Sequence, residues 1–220
     1  MRYIFTESMA SHTQSPYTLY KRDNRGAIWS LLLTTGHTAA HVNFLTRLKG
    51  RGDRLALLLP HNKSYNVVAS CGGFKDPGET VIGTQVRETG EESHGCIISP
   101  SELAGRLKNE SFLITRTIAE KQYFTAYLNI SDMHPEGFPL EAAQEMMAYH
   151  SRGKYLDEGS AENDSLHAVW WDELHAADHG KMENLLMKDV DSKDVQVRAI
   201  TLPSYRFVKS MVDAGELSLE

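Results

Sequence analysis

The sequence predicts an α/β fold built in layers around a mixed sheet. Strand-like segments outnumber helical ones, and the two kinds are interleaved along the chain. The chain has 220 residues, 41% of them apolar, enough for one core of ordinary to large size. Its apolar runs are short, and none nears the roughly 20 residues that span a bilayer.

Residues 1–25 are polar and irregular around Ser15-Pro16 and read as an N-terminal extension, with 26–220 as a single domain. Ala27–Leu33 is a compact apolar run of the kind buried strands show. The segment 38–48 fits a short helix ended by Gly50. Arg54–Leu59 reads as a strand stopped by Pro60. Tyr65–Ser70 is a further strand running into a Gly72-Gly73 turn. Ser101–Leu107 suits a helical turn, and Phe112–Thr117 with Gln122–Leu128 a hairpin. The stretch 129–165 is long and polar, an insertion before the last strands, with helical character over Leu140–His150. His167–Trp171 is a strand leading into a helix from Asp172. Residues 195–201 supply a last strand and Tyr205–Leu217 a C-terminal helix.

The net charge of −6, with no long basic run, argues against strong nucleic-acid binding. Cys71 and Cys96 form no zinc or disulfide framework and read as reduced structural thiols. With no signal-peptide pattern and no membrane segment, a soluble cytoplasmic protein is expected. The ten histidines include His134, His150, His167, His175 and His179, and none shows convincing zinc spacing.

The chemistry concentrates in GGFKDPGETVIGTQVRETGEESHG, residues 72–95. Gly83, Thr84, Thr89 and Gly90 are weak helix formers. If 80–93 is nevertheless helical, with Thr80 as N-cap, Glu88, Glu91 and Glu92 fall at i, i+3 and i+4 on one face. Each close like-charge pair costs a few tenths of a kcal/mol on an exposed helix. A hard divalent cation reverses that sign, because carboxylate oxygens are what Mg²⁺ or Mn²⁺ prefer. Arg87 lies about 100° round a helix from Glu88 and is placed to pair with Glu79 instead of competing for a metal.

This segment resembles the Nudix box. Gly73, five residues, Glu79, seven residues, then Arg87-Glu88 and Glu91-Glu92 reproduce its six fixed positions. A chance match over this length is on the order of 1 in 100,000. Thr89 stands where the pattern has an aliphatic residue, and His94 where it has glycine, with Gly95 one position late. Trp170-Trp171-Asp172-Glu173-Leu174 is similar to the family's tryptophan strand and the turn after it.

The resemblance implies an α/β/α sandwich and metal-dependent hydrolysis of a nucleoside diphosphate linked to another moiety. It implies Glu88, Glu91 and Glu92 as ligands of Mg²⁺ or Mn²⁺, with a carbonyl from Gly72, and Arg87 with Glu79 as the pair that orients the helix. Gly73, Phe74 and Lys75 would line the substrate site. A general base is sought among the box glutamates or Glu136, Glu141, Glu158 and Glu162. Base stacking is sought among Trp29, Tyr123, Phe138, Tyr149, Tyr155 and Trp171. The partner is a small nucleotide: ADP-ribose or a related dinucleotide first, a nucleoside triphosphate second, capped RNA third. A homodimer, sharing or covering the site through 129–165, is one arrangement the resemblance implies. A catalytically silent nucleotide-binding module stays open as an alternative.

Overall fold

The computed structural model describes residues 2–4, 17–152, 163–176, 184–198 and 202–219. Its strands are β1 Arg2–Ile4, β2 Tyr17–Tyr20, β3 Ala39–Arg47, β4 Leu55–Asn62, β5 Val67–Val68, β6 Cys71–Phe74, β7 Phe112–Ile118, β8 Lys121–Asn129, β9 Asn163–Trp170, β10 Leu185–Lys188 and β11 Asp194–Val197. Its helices are α1 Arg25–Leu32, α2 Val81–Ser93, α3 Pro100–Asn109, α4 Leu140–Arg152, α5 Trp171–Ala176 and α6 Leu202–Asp213.

The strands form one mixed sheet in the order β1-β2-β7-β8-β3-β4-β5-β11-β10, with β6 paired to β3 and β9 to β4. Two apolar cores cover its faces. One gathers Ile28 and Leu32 of α1, Val81 of α2, Leu103 and Leu107 of α3, and Leu140, Ala143 and Met147 of α4. The other gathers Leu174 of α5 with Tyr205, Phe207, Val208 and Met211 of α6. The result is the expected α/β/α layering.

Two elements exchange identity relative to the sequence reading. The run Ala27–Leu33 lies in helix α1 and its C-cap, where Ile28 and Leu32, one turn apart, are buried while Trp29 and Leu33 are partly exposed. A short apolar run does not distinguish a strand from a helix packed on one side. Conversely, the segment read as a helix is the central strand β3. Ala40, Val42 and Phe44 face one core and Leu45 the other, so burial on both sides erases the period-two signal.

Strand β4 does not stop at Pro60 but continues to Asn62. The carbonyl of Pro60 accepts from the Ala69 N–H. The missing proline N–H points to that same side, so Pro60 still pairs with Leu166 of β9, and the register slips only beyond it, between His61 and Asn62. The segment Tyr65–Ser70 pairs only at Val67–Val68, because Asn66 turns with φ 50°. Gly72-Gly73 is not a turn but part of β6, in register with His41 and Ala40 of β3. The nominally irregular N-terminal region contributes β2, with Leu19 fully buried. Strand β10 was not foreseen at all. The hairpin β7–β8, the helices α2 to α6 and strands β9 and β11 fall where expected, with ends shifted by a few residues.

Helix α4, within the stretch read as an insertion, packs on β9, and its Gln144 side chain donates to the Leu166 carbonyl. Cys71 and Cys96 are both buried free thiols. Among the described residues no helix is long and apolar enough to cross a membrane.

Candidate active site

Helix α2 begins as its sequence dictates. The Thr80 hydroxyl accepts from the Gly83 N–H at the N-cap. Its end is set by His94, which adopts the left-handed conformation at φ 50°, with Gly95 following at φ 72°. The late glycine therefore leaves the helix intact: His94 takes the C-cap turn itself. Strand β9 holds this end. His94 Nε2 lies 3.2 Å from the Asn163 carbonyl, and Asn163 Nδ2 donates to the Glu92 carbonyl at 3.2 Å. At mid-helix, Gln85 Nε2 donates to the His41 carbonyl of β3 at 3.0 Å.

The box position occupied by Thr89 is 1% exposed, and its hydroxyl finds no hydrogen-bond partner among the described residues. An unpaired buried hydroxyl is destabilising. Thr89→Val keeps the shape and removes it. The variant is expected to be more stable by about 1 kcal/mol, a rise in Tm of roughly 2–4 °C for a chain of this size. Thermal unfolding checks this, and an unchanged or lower Tm contradicts it.

Arg87 organises the acids. Its Nε and Nη2 reach the two Glu79 oxygens at 3.0 and 3.1 Å, a bidentate pair. Its Nη2 also donates to the Phe74 carbonyl at 3.0 Å, tying α2 to the end of β6. Glu79 further accepts from the Asp76 N–H at 3.0 Å and from the Thr84 hydroxyl at 2.7 Å. His37 Nε2 lies 2.9 Å from that same hydroxyl. Burial pushes the Glu79 carboxyl up, but the Arg87, Asp76 and Thr84 hydrogen bonds outweigh it and hold it at about 2.

A carboxyl depressed on folding contributes stability that is present above its unfolded value and lost as pH falls toward its folded one. For Glu79 that window runs from about 4.5 down to about 2. Glu79→Gln is expected to destabilise by about 2 kcal/mol at neutral pH. The gap from wild type should narrow between pH 5 and pH 2. Urea midpoints at three pH values measure it, and a pH-independent gap would refute the assignment.

The expected separation of Arg87 from Glu88 does not hold. Arg87 Nη1 also reaches Glu88 at 2.8 Å and Glu91 at 3.0 Å. A long forked side chain spans the angular offset between their Cα positions. The three box acids share one face but are not drawn to one point. Glu92 accepts from the Gly72 N–H at 2.6 Å. Glu88 lies against Gly73, where a Cβ would sit 2.6 Å from its carboxylate. Glu91 is largely exposed. Among the described residues no group of three His, Cys, Asp or Glu side chains is gathered to hold a metal.

The donor set nevertheless suits a hard cation. Glu88 lies against Gly73 and Glu92 against Gly72, and carboxylates are the oxygen donors such a cation prefers. Burial lifts the Glu88 carboxyl above its ordinary range, and Arg87 only partly offsets this. The buried Cys71 thiol is pushed well up, first by burial and then by the charge of Glu92.

Beside Glu92 opens a cavity lined by His41, Pro60, Asn62, Ala69, Ser70, Gly72, Asn163 and Arg198. A larger one, about 580 Å³ with the solvent at its mouth included, shares His41 and Ser70 with it and extends to Tyr17, Arg116, Tyr123 and Ser204. Burial, then the charge of Arg198, lowers His41 to about 4, so its ring is neutral at physiological pH. His41, Ser70, Arg116, Tyr17 and Arg198 were not singled out from sequence.

The other candidates are dispersed. Phe74 is 72% exposed, and the Lys75 ammonium bonds the Thr35 carbonyl; neither lines these cavities. Glu136 and Glu141 pair with Lys49 and Arg51 on the surface. Of the aromatic candidates among the described residues, Tyr123 lines the larger of these two cavities and the others line neither. Phe138 and Trp171 are core, Tyr149 is exposed, and Trp29 lies under Lys108. His134 packs edge-on to Phe138, His150 lies near His94, and His167 pairs with Asp189. Tyr155, Glu158, Glu162 and His179 lie outside the described residues, as does the His175 side chain.

Fold and site together define a class: an α/β/α domain with an acidic helix clamped by arginine onto a glycine strand. No protein-family model and no curated protein matches the sequence. Among solved structures the chain is similar to Nudix hydrolases. A MutT/nudix family protein from Enterococcus faecalis is 14% identical with TM-score 0.43, matching 82% of this chain, which spans 63% of that one. A Nudix hydrolase from M. smegmatis, RenU, is 13% identical with TM-score 0.41, over 99% of both chains. The C. elegans Ap4A hydrolase is 21% identical with TM-score 0.28, over 49% of this chain and 83% of that one.

Proposed function

We propose that this protein hydrolyses the pyrophosphate bond of a nucleoside diphosphate joined to another moiety, using a divalent cation. The observation that carries it is the seating of Glu92 on Gly72, in the wall of a cavity that also holds Arg198, with Glu88 set against the adjacent Gly73. The box resemblance supplies the reaction class. ADP-ribose or a dinucleotide is the favoured substrate, ahead of a nucleoside triphosphate or capped RNA.

Hydrolysis adds water across one P–O–P bridge. The water oxygen joins one phosphorus, the bridging oxygen leaves with the other, and a proton is released. Glu88, Glu91, Glu92 and the Gly72 carbonyl would hold Mg²⁺ or Mn²⁺, which when bound neutralises phosphate oxygens and acidifies the attacking water. Arg87 and Glu79 fix the pitch of α2 against β6 through the Phe74 carbonyl. Arg198 adds positive charge beside Glu92, suited to a phosphate. The Gly72 N–H orients the Glu92 carboxylate.

One observation favours a second reading, nucleotide binding without turnover: Arg87 already engages Glu88 and Glu91. A nucleotide panel with Mg²⁺ or Mn²⁺ separates the two. Metal-dependent release of monophosphate products supports hydrolysis. Saturable nucleotide binding with no product from any substrate supports the second reading and refutes the first.

A further inference from the structure

Sheet register shows what the larger cavity is made of. Tyr17, Arg116 and Tyr123 are direct cross-strand partners on β2, β7 and β8. The neighbouring row is Ile114, Thr125, His41 and Gly72, across β7, β8, β3 and β6. Apart from Gly72, these residues all line the cavity, and Gly72 lines its smaller neighbour beside Glu92. The second row thus leads from the cleft floor straight to the glycine that holds Glu92. With strands about 4.8 Å apart, Thr125 and Ile114 stand roughly 10 and 14 Å from Gly72. That is the reach of a ribose and one phosphate.

Three polar atoms of this cleft are buried without a hydrogen-bond partner among the described residues: Ser70 Oγ, Arg116 Nε and His41 Nδ1. Ser70 is only 4% exposed. Buried polar groups are nearly always paired, so three orphans around one space call for a ligand that pairs them. The Arg116 guanidinium is held over the Tyr17 ring at 5.1 Å, and Tyr17 stacks on Phe207 at 5.3 Å, which fixes the cation. Tyr123, beside it in register, offers a half-buried aromatic face. An imidazole, a hydroxyl, one fixed N–H donor and an aromatic wall suit a flat, uncharged heterocycle with acceptors on its edge. They do not suit a second phosphate, which would demand several cations.

Resting on the hydrolase reading above, we propose that this cleft binds the nucleobase of the substrate. Arg116 and Ser70 read the edge of the base, Tyr123 stacks on it, and the phosphates pass His41 toward Glu92.

The test is titration of adenosine and guanosine, without metal, into wild type and the Arg116→Met, Ser70→Ala and Glu92→Gln variants. Ser70→Ala removes only an unpaired hydroxyl, so it keeps the test valid if Arg116→Met fails to fold. Saturable nucleoside binding is expected, unchanged in Glu92→Gln and at least tenfold weaker in Arg116→Met or Ser70→Ala. Ribose 5-phosphate should not compete. Equal binding by all variants, or no nucleoside binding at all, overturns the assignment. The two proposals fail separately. Nucleoside binding without turnover of any pyrophosphate removes the hydrolase and supports the cleft. Turnover with KM unaltered in both cleft variants removes the cleft and leaves the hydrolase.

Discussion

Glu92→Gln is expected to reduce hydrolysis on the order of 10³-fold while leaving the unfolding midpoint unchanged or slightly raised. The two halves of this result have separate causes. A metal ion stabilises transition-state charge by several kcal/mol, and each 1.36 kcal/mol is tenfold in rate. Removing one anionic ligand forfeits much of that. In the fold, Glu92 accepts from the Gly72 N–H at 2.6 Å, and the carbonyl oxygen of glutamine can accept the same bond, though more weakly than a carboxylate. Loss of a negative charge near Glu88 also relieves repulsion. Turnover of the best panel substrate and thermal unfolding, measured on one preparation, decide the matter. Activity within threefold of wild type, or a Tm lower by 5 °C or more, would sink the proposed role.

Gly72→Ala is expected to destabilise the protein by about 3–5 kcal/mol, enough to threaten folding altogether. At φ 149° the backbone already lies where side chains are rarely tolerated. A Cβ would meet the Ala40 carbonyl oxygen at 2.4 Å and the His41 Cα at 2.5 Å, both backbone atoms of the central strand. Neither can yield without separating β6 from β3. Gly73→Ala is the control. There the clash is with the Glu88 carboxylate, the far end of a flexible side chain, and Gly73 does not have positive φ. It should fold near normally and lose activity by displacing Glu88. Urea denaturation of both variants checks the contrast, which fails if they are equally stable.

The box helix was legible because its signal is charge at fixed spacing, which tertiary context does not alter. The N-cap at Thr80 and the Arg87–Glu79 pair followed from it. What local sequence could not convey was β3, buried on both sides, and α1, whose apolar run fits either element. The reach of Arg87 to Glu88 was missed because helix angles describe Cα positions, not the ends of long side chains. The cleft was invisible for another reason. Tyr17, His41, Ser70, Arg116 and Tyr123 come from distant parts of the chain, and only the pairing of β2, β7, β8 and β3 makes them neighbours. Even the three unpaired polar atoms carry no mark in the sequence, since burial is conferred by the fold.

Strand β3 changes partner along one edge: it pairs with β4 over Phe44–Arg47 and with β6 over Ala39–Val42. The small cavity beside Glu92 lies where those partners diverge, between Pro60–Asn62 and Ala69–Gly72. Pro60 and Asn62 of β4 and Gly72 of β6 form one part of its wall, so strand registration sets that side of the opening. Natural variants of this architecture would retune which molecules enter by exchanging the side chains that complete the wall, such as Ser70, Asn163 and Arg198.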